Sequence, residues 1–159
     1  MLKLRLRSKP NKYFLKNNKN YGFLVPVFFV LIVCVFLSAN GKQYVKLITQ
    51  NGPIYLDVAR DQKAREKGLS GKDFISFNHG MIFEFETSGQ YCFWMKDMNF
   101  PIDIIWLNSD KEIIKISNDI KPESFPEQFC PESPVQHVIE LQSGEAANNN
   151  LVVGQKLKF

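Results

Sequence analysis

Asp103 is the residue most at odds with its neighbours. It interrupts the run Ile102-Asp103-Ile104-Ile105-Trp106. A carboxylate in an apolar strand must be paired, hydrogen-bonded or protonated. Two roles meet that demand. One is structural, a salt bridge or turn cap with Arg65, Lys72 or Lys96 as partner. The other is a polar anchor in an aromatic pocket with Trp94, Lys96 and Trp106, since ligand sites are typically apolar clefts with a few convergent polar groups. The structural role takes precedence, because structural pairs perturb carboxylates as readily as catalytic ones do. Trp94, Lys96, Asp103 and Trp106 nevertheless form the candidate ligand-binding set.

A second group carries soft donors. His79, Met81, Cys92, Met95, Met98 and Cys130 fall within 52 residues, and imidazole, thioether and thiolate together suit Cu(I). No tight spacing such as Cys-x-x-Cys accompanies them. Met81 and Met95 lie in apolar segments, where methionine is ordinarily core filler. His79, Met81 and Met95 are thus a remote metal alternative, and the expectation is that no metal is held. Cys92 beside His79 or His137 offers a thiol–imidazole pair, but nothing in the spacing favours it over a core thiol or a disulfide. Glu84 and Glu86 share a strand face as solvated carboxylates. Gly71-Lys72-Asp73 lacks the glycine pattern of a phosphate loop, and no serine stands in a nucleophile elbow. No catalytic residues are therefore assigned, and the cofactor stays undetermined.

The elements that must position these residues read as short strands. Asn51-Gly52 marks a hairpin between Tyr44-Val45-Lys46-Leu47-Ile48 and Ile54-Tyr55-Leu56-Asp57-Val58. Asp61 caps a short helix, Gln62 to Lys67, which Gly68 ends. Strands are expected at Met81–Phe85, Tyr91–Met95, Ile102–Leu107, Glu112–Ser117, Val138–Leu141 and Lys156–Phe159, with one helical turn over 144–149. Prolines 122, 126, 131 and 134 make an irregular loop. The pattern predicts a mainly β domain, a compact sandwich or barrel-like fold with one or two short helices.

Charge divides the chain. Residues 1–19 carry seven Lys/Arg and no acids, none of residues 20–41 is charged, and the remainder carries 13 Lys/Arg against 16 Asp/Glu. The basic excess belongs to the tail, so the expectation includes no nucleic-acid partner. Phe23 to Leu37 is an unbroken apolar run within the 19 residues 21–39. As a helix that stretch spans about 28 Å, close to the hydrocarbon thickness of a bilayer. The organisation expected is a basic cytoplasmic tail (1–20), a single N-terminal transmembrane helix (21–39), a linker (40–43) and an exported β domain (44–159), with the N-terminus inside. The alternative is a signal peptide cleaved near Ala39-Gly41, leaving the domain secreted or periplasmic. Cys34 then reads as a membrane-buried apolar residue. Cys92 and Cys130 enter an oxidising compartment on either reading, which permits one disulfide worth roughly 3–4 kcal/mol; two separate thiols are the other option.

Several strings carry a resemblance: His79-Gly80-Met81-Ile82-Phe83, Phe93-Trp94-Met95-Lys96-Asp97-Met98, Pro101-Ile102-Asp103-Ile104-Ile105-Trp106, and Ala64-Arg65-Glu66-Lys67-Gly68-Leu69 upstream. Val138-Ile139-Glu140-Leu141 with Gly144, and Gly154, follow downstream. In order and spacing they resemble the bacterial and archaeal domain of unknown function 192 family over about residues 44–159. The resemblance implies a compact sandwich-like β domain, commonly exported or membrane-attached. It implies no activity, substrate or catalytic residue. Ser70 and Lys72 depart from the methionine and arginine usual there. The function expected is a non-catalytic, membrane-tethered binding domain for a small ligand or an envelope partner. The alternatives are an enzyme using Asp103 with Lys96 or Cys92, and a copper-handling protein.

Overall fold

The computed structural model describes residues 43–159. The expected basic tail, the membrane anchor with Cys34, and the linker up to residue 42 lie outside the described residues. Among the described residues no helix is long and apolar enough to cross a membrane.

Six strands form one sheet: β1 (Tyr44–Thr49), β2 (Gly52–Ala59), β3 (His79–Gly89), β4 (Ile102–Leu107), β5 (Ile113–Ile120) and β6 (Val135–Gln142), with helix α1 (Gln62–Lys67) after β2 and α2 (Glu145–Asn148) after β6. Their order across the sheet is β1-β2-β3-β6-β4-β5. The fold is mainly β with two short helices. Its strands make a single sheet, and the second sheet of a sandwich is absent among the described residues. The C-terminal segment bridges the two edge strands instead. Ile48 of β1 donates to the Lys158 carbonyl, Ile113 of β5 donates to Gln155, and Leu157 donates to Lys111. Only an isolated bridge, Glu112 with Lys156, forms where the sequence predicts a last strand.

Local chemistry explains the elements. β1 and β2 pair as a hairpin, from Tyr44 opposite Asp57 to Thr49 opposite Gly52. The Asp61 side chain accepts from Ala64 N at 2.8 Å and caps α1, and Gly68 ends it at φ 49°, a conformation that favours glycine. β2 and β3 run parallel. A parallel pair needs a crossover, which α1 and residues 68–78 supply. β6 lies between β3 and β4, so the connection from β3 to β4, residues 90–101, must also cross the sheet. The sequence predicts a strand over Tyr91–Met95, but this crossover has only one bridge, Phe93 with Phe129.

Every residue of β4 is buried, so its alternation feeds two cores. Ile105 and Leu107 join Leu47, Ile54, Leu56, Ile82 and Ile139 on one face, beneath α2 and Leu157. Ile102, Ile104 and Trp106 join Phe83, Met95, Leu69 and Val138 on the other, beneath the two crossovers. Gly80 of β3 permits the close approach of β6: a Cβ there would lie 2.4 Å from the Glu140 carbonyl oxygen.

Candidate functional site

The two crossovers leave a cleft of about 980 Å³ between them. Residues 65–71 form one wall and residues 90–98 the other; Phe83, Phe85 and Glu140 form the floor. The walls are tied together where Gly71 N donates to the Asp97 carbonyl at 2.8 Å and the Ser70 hydroxyl donates to the Lys96 carbonyl at 2.8 Å. The Asn99 side-chain amide adds a bond to the Lys72 carbonyl at 3.0 Å.

Aromatic side chains dominate the interior. Phe83 meets Phe93 edge-on at 4.8 Å, and Phe85 stacks on Tyr91 at 3.5 Å. Trp94 is half-exposed at the rim, 6.0 Å from Phe125. The charged groups of the cleft are Arg65, Glu66, Lys67, Lys96 and Asp97 around the mouth, with Glu140 at the bottom. Arg65 is held by the carbonyls of Arg60 and Glu84, and its guanidinium lies 5.3 Å over the Phe85 ring.

Glu140 is the residue that sequence reasoning missed. It is only 5% exposed. Register places it opposite Met81 on β3 and opposite Ile104 on β4, so apolar side chains flank it on both strands. Its Oε2 atom is buried and has no hydrogen-bond partner among the described residues. Burial pushes its carboxyl up to about 8, against a smaller opposing effect of the Leu69 backbone N–H. Gly68 covers it closely; a Cβ there would sit 3.5 Å from Oε2 and 3.3 Å from Phe83. The signal was present in the sequence, since Val138-Ile139-Glu140-Leu141 shows the same lone carboxylate in an apolar strand as the segment around Asp103.

The structure divides the four-residue candidate set. Trp94 and Lys96 line the cleft. Trp106 lies beneath it, fully buried, where its indole N–H donates to the Tyr91 carbonyl at 3.0 Å and pins the 90–98 wall. Asp103 does not reach the cleft. It stands three positions before Trp106, an odd offset, so strand alternation turns it to the opposite face. There its oxygens accept from Asp119 N and Ala146 N, each at 3.0 Å. Neither Arg65, Lys72 nor Lys96 pairs with it; Lys72 instead approaches Asp57 at 3.9 Å. An enzyme built on Asp103 and Lys96 would need both on one face, and they are not.

The soft donors do not converge either. Cys92 and Cys130 are joined in a disulfide with Cα atoms 4.2 Å apart, so Cys92 offers no thiolate to His79, His137 or a metal. His79 stacks on Tyr55 at 5.6 Å, while Met95 is in the core beneath the cleft. His137 packs edge-on against Phe159 at 5.7 Å, and burial lowers its pKa. Among the described residues no group of three or more His, Cys, Asp or Glu could hold a metal ion. Glu84 pairs with Arg60 at 2.5 Å at the surface.

The disulfide staples the 90–98 wall to the proline-rich loop, beside paired Phe93 and Phe129 backbones. Replacing both cysteines by serine should lower stability by roughly 3–4 kcal/mol, the value of a loop of this length. Urea denaturation of the two proteins under oxidising conditions measures it, and coincident midpoints would show that the loop is held by other contacts.

A sequence model of the domain of unknown function 192 family, described as "Uncharacterized ACR", matches residues 45–159. The chain belongs to this family. Two solved structures are similar to it. One is a proposed transcription regulator from Sinorhizobium meliloti, 30% identical with a TM-score of 0.66, the match covering 72% of this chain and 91% of that one. The other is a protein of unknown function from Novosphingobium aromaticivorans, 25% identical with a TM-score of 0.67, covering 76% of this chain and 88% of that one. No curated protein matches the chain.

Proposed function

We propose that this member of the domain of unknown function 192 family is a non-catalytic binding domain, tethered outside the cytoplasmic membrane through residues 21–39, whose cleft between the two crossovers holds a small ligand. The cleft itself carries the reading. It has the size of a ligand site and an aromatic interior with a few polar groups, with Trp94 and Lys96 at its rim and, at its floor, a carboxyl whose Oε2 has no partner among the described residues. The basic flank of the apolar run supports the orientation, and the Cys92–Cys130 bond supports an oxidising compartment. The role described for the Sinorhizobium meliloti protein is not carried over, because the part of this chain beyond its tail has 13 Lys/Arg against 16 Asp/Glu, the reverse of a nucleic-acid footprint.

A fragment screen on the full chain in detergent, read by the NMR signals of the Trp94 indole N–H and the Leu69 to Gly71 amides, tests the binding role. Fragments that move these signals together, and lose at least tenfold in affinity in Trp94→Ala, are the expected result. A folded Trp94→Ala protein that binds every hit unchanged would remove the cleft as the site. Protease access to the domain in intact cells tests the topology; protection of the domain until the membrane is permeabilised from the cytoplasmic side would reverse it.

A further inference from the structure

The chemistry of Glu140 narrows the ligand, on the premise that the cleft is the binding site. The carboxyl lies between Met81 and Ile104 in the sheet register, beneath Gly68, with Oε2 buried and without a partner among the described residues. A carboxylate ion there would have the Leu69 N–H but no cation among the described residues to balance it. Burial raises its pKa to about 8, so at neutral pH the group is a carboxylic acid. A protonated carboxyl has an O–H to donate, and a buried donor without an acceptor is destabilising. The site is thus lacking an acceptor. The cleft above it is lined by Phe83, Phe85 and Phe93, with Trp94 at the rim. At the mouth, Lys67 and Lys96 form no ion pair among the described residues.

We propose that the cleft takes a small apolar or aromatic molecule that buries an uncharged acceptor, an amide or ester carbonyl, against the Glu140 carboxyl, and leaves an anionic group at the mouth beside Lys67 and Lys96. An ammonium ligand is the opposite case. It would have to pass a mouth where Arg65, Lys67 and Lys96 outnumber Glu66 and Asp97, and would require the ionised carboxylate. The carbonyl ligand supplies the acceptor that no described residue offers to Oε2, while the aromatic walls cover its body. Across the useful pH range the other titratable groups around the cleft are Arg65, Glu66 and Lys67 from α1, and Tyr91, Lys96 and Asp97 from the second crossover. None of them is among the causes that shift Glu140, and the pH profile of Glu140→Gln separates their own titration from that of Glu140.

Three probes decide it on the full chain in detergent: N-acetylphenylalaninate, 3-phenylpropionate, which lacks the amide, and phenethylammonium. N-acetylphenylalaninate is expected to move the Trp94 and Leu69 to Gly71 signals with at least tenfold higher affinity than the other two. Its affinity should fall about tenfold from about pH 6.5 to about pH 9, as the acid ionises. Glu140→Gln keeps a donor and should bind with a flat pH profile. The Glu140 Cδ resonance of the wild-type protein gives a second reading, since a bound carbonyl should move its titration to higher pH. Preferential binding of phenethylammonium at the same signals would overturn the ligand class and leave the cleft as a binding site. Binding of N-acetylphenylalaninate without pH dependence would remove Glu140 from recognition. Silence from all three probes at these signals would overturn this inference, and if the fragment screen is equally silent, the reading of the cleft with it.

Discussion

Glu140→Gln should leave stability nearly unchanged at about pH 5 and raise it by about 4 kcal/mol over wild type at about pH 9. The ordinary glutamate value of 4.5 is shifted to about 8 by burial. Between those values the folded protein holds a proton that the unfolded chain has released. The unfolded state then binds fewer protons, so wild-type stability falls as pH rises. The loss begins near the unfolded value and is complete once the pH passes about 8. Glutamine occupies nearly the same volume and cannot ionise, so the variant escapes the loss. Glu145 shifts in the same direction, first through burial and also through the charge of Asp103, but it is common to both proteins and cancels in the difference. Urea denaturation of the two proteins from about pH 5 to about pH 9 measures the effect. Parallel profiles, differing by less than about 1 kcal/mol throughout, would mean that Glu140 is ionised and solvated at neutral pH.

The expected gain also bears on why a carboxyl is there at all. A leucine at this position would fill the floor between Met81 and Ile104 without any penalty in alkaline solution. That a side chain which weakens the fold above neutral pH stands at the cleft floor, with Gly68 packed over its Oε2 atom, supports the proposed ligand role, its cost being offset by the rest of the core.

What could be read from the sequence follows from the range of the forces involved. The α1 boundaries were legible because its signals are local: Asp61 at the cap, Gly68 at the stop. β4 was legible because six successive residues are buried on both faces, which leaves an apolar run. The stretch from Tyr91 to Met95 misled because its alternation is genuine but serves packing over the sheet. Tyr91 stacks on Phe85, Phe93 meets Phe83 and Trp106, and the backbone pairs only at Phe93. The candidate site was half legible. Trp94 and Lys96 were found by type. Asp103 and Glu140 carry the same signature, and only strand order and register decide which of them faces the crossovers. The insertion of β6 between β3 and β4 is a long-range fact that no window of sequence contains. That insertion sends Glu140 to the cleft floor and leaves Asp103 to the opposite core.

The opposite core is where the second large effect is expected. Asp103→Ala should cost about 3–6 kcal/mol, from two hydrogen bonds to a charged acceptor at about 1.5–3 kcal/mol each. The register of β4 against β5 slips at this point: Ile102 pairs with Ile120, but Ile104 pairs with Ser117. Asn118 and Asp119 therefore stand opposite Asp103 alone, a bulge, and Asp119 takes up φ 51°. The slip frees the Asp119 N–H, which donates to one Asp103 oxygen, while the other accepts from Ala146 N. Gly144, the residue before α2, has no side chain to cap the helix, so Asp103 supplies the cap from another strand. The alanine variant leaves the Ala146 N–H without an acceptor in the interior and the Asp119 N–H without one at the partly exposed bulge. Asp103→Asn retains one acceptor oxygen and turns an amide donor toward the other N–H, so it should lose about half as much. Removing the charge also relieves Glu145, which Asp103 holds upward, and this offsets part of the loss in both variants. Denaturation midpoints give the magnitudes, and binding to the cleft separates this role from a part in recognition. A folded Asp103→Asn protein should bind N-acetylphenylalaninate as wild type does. A variant with unchanged stability and weakened binding would return Asp103 to the ligand site from which strand alternation removes it.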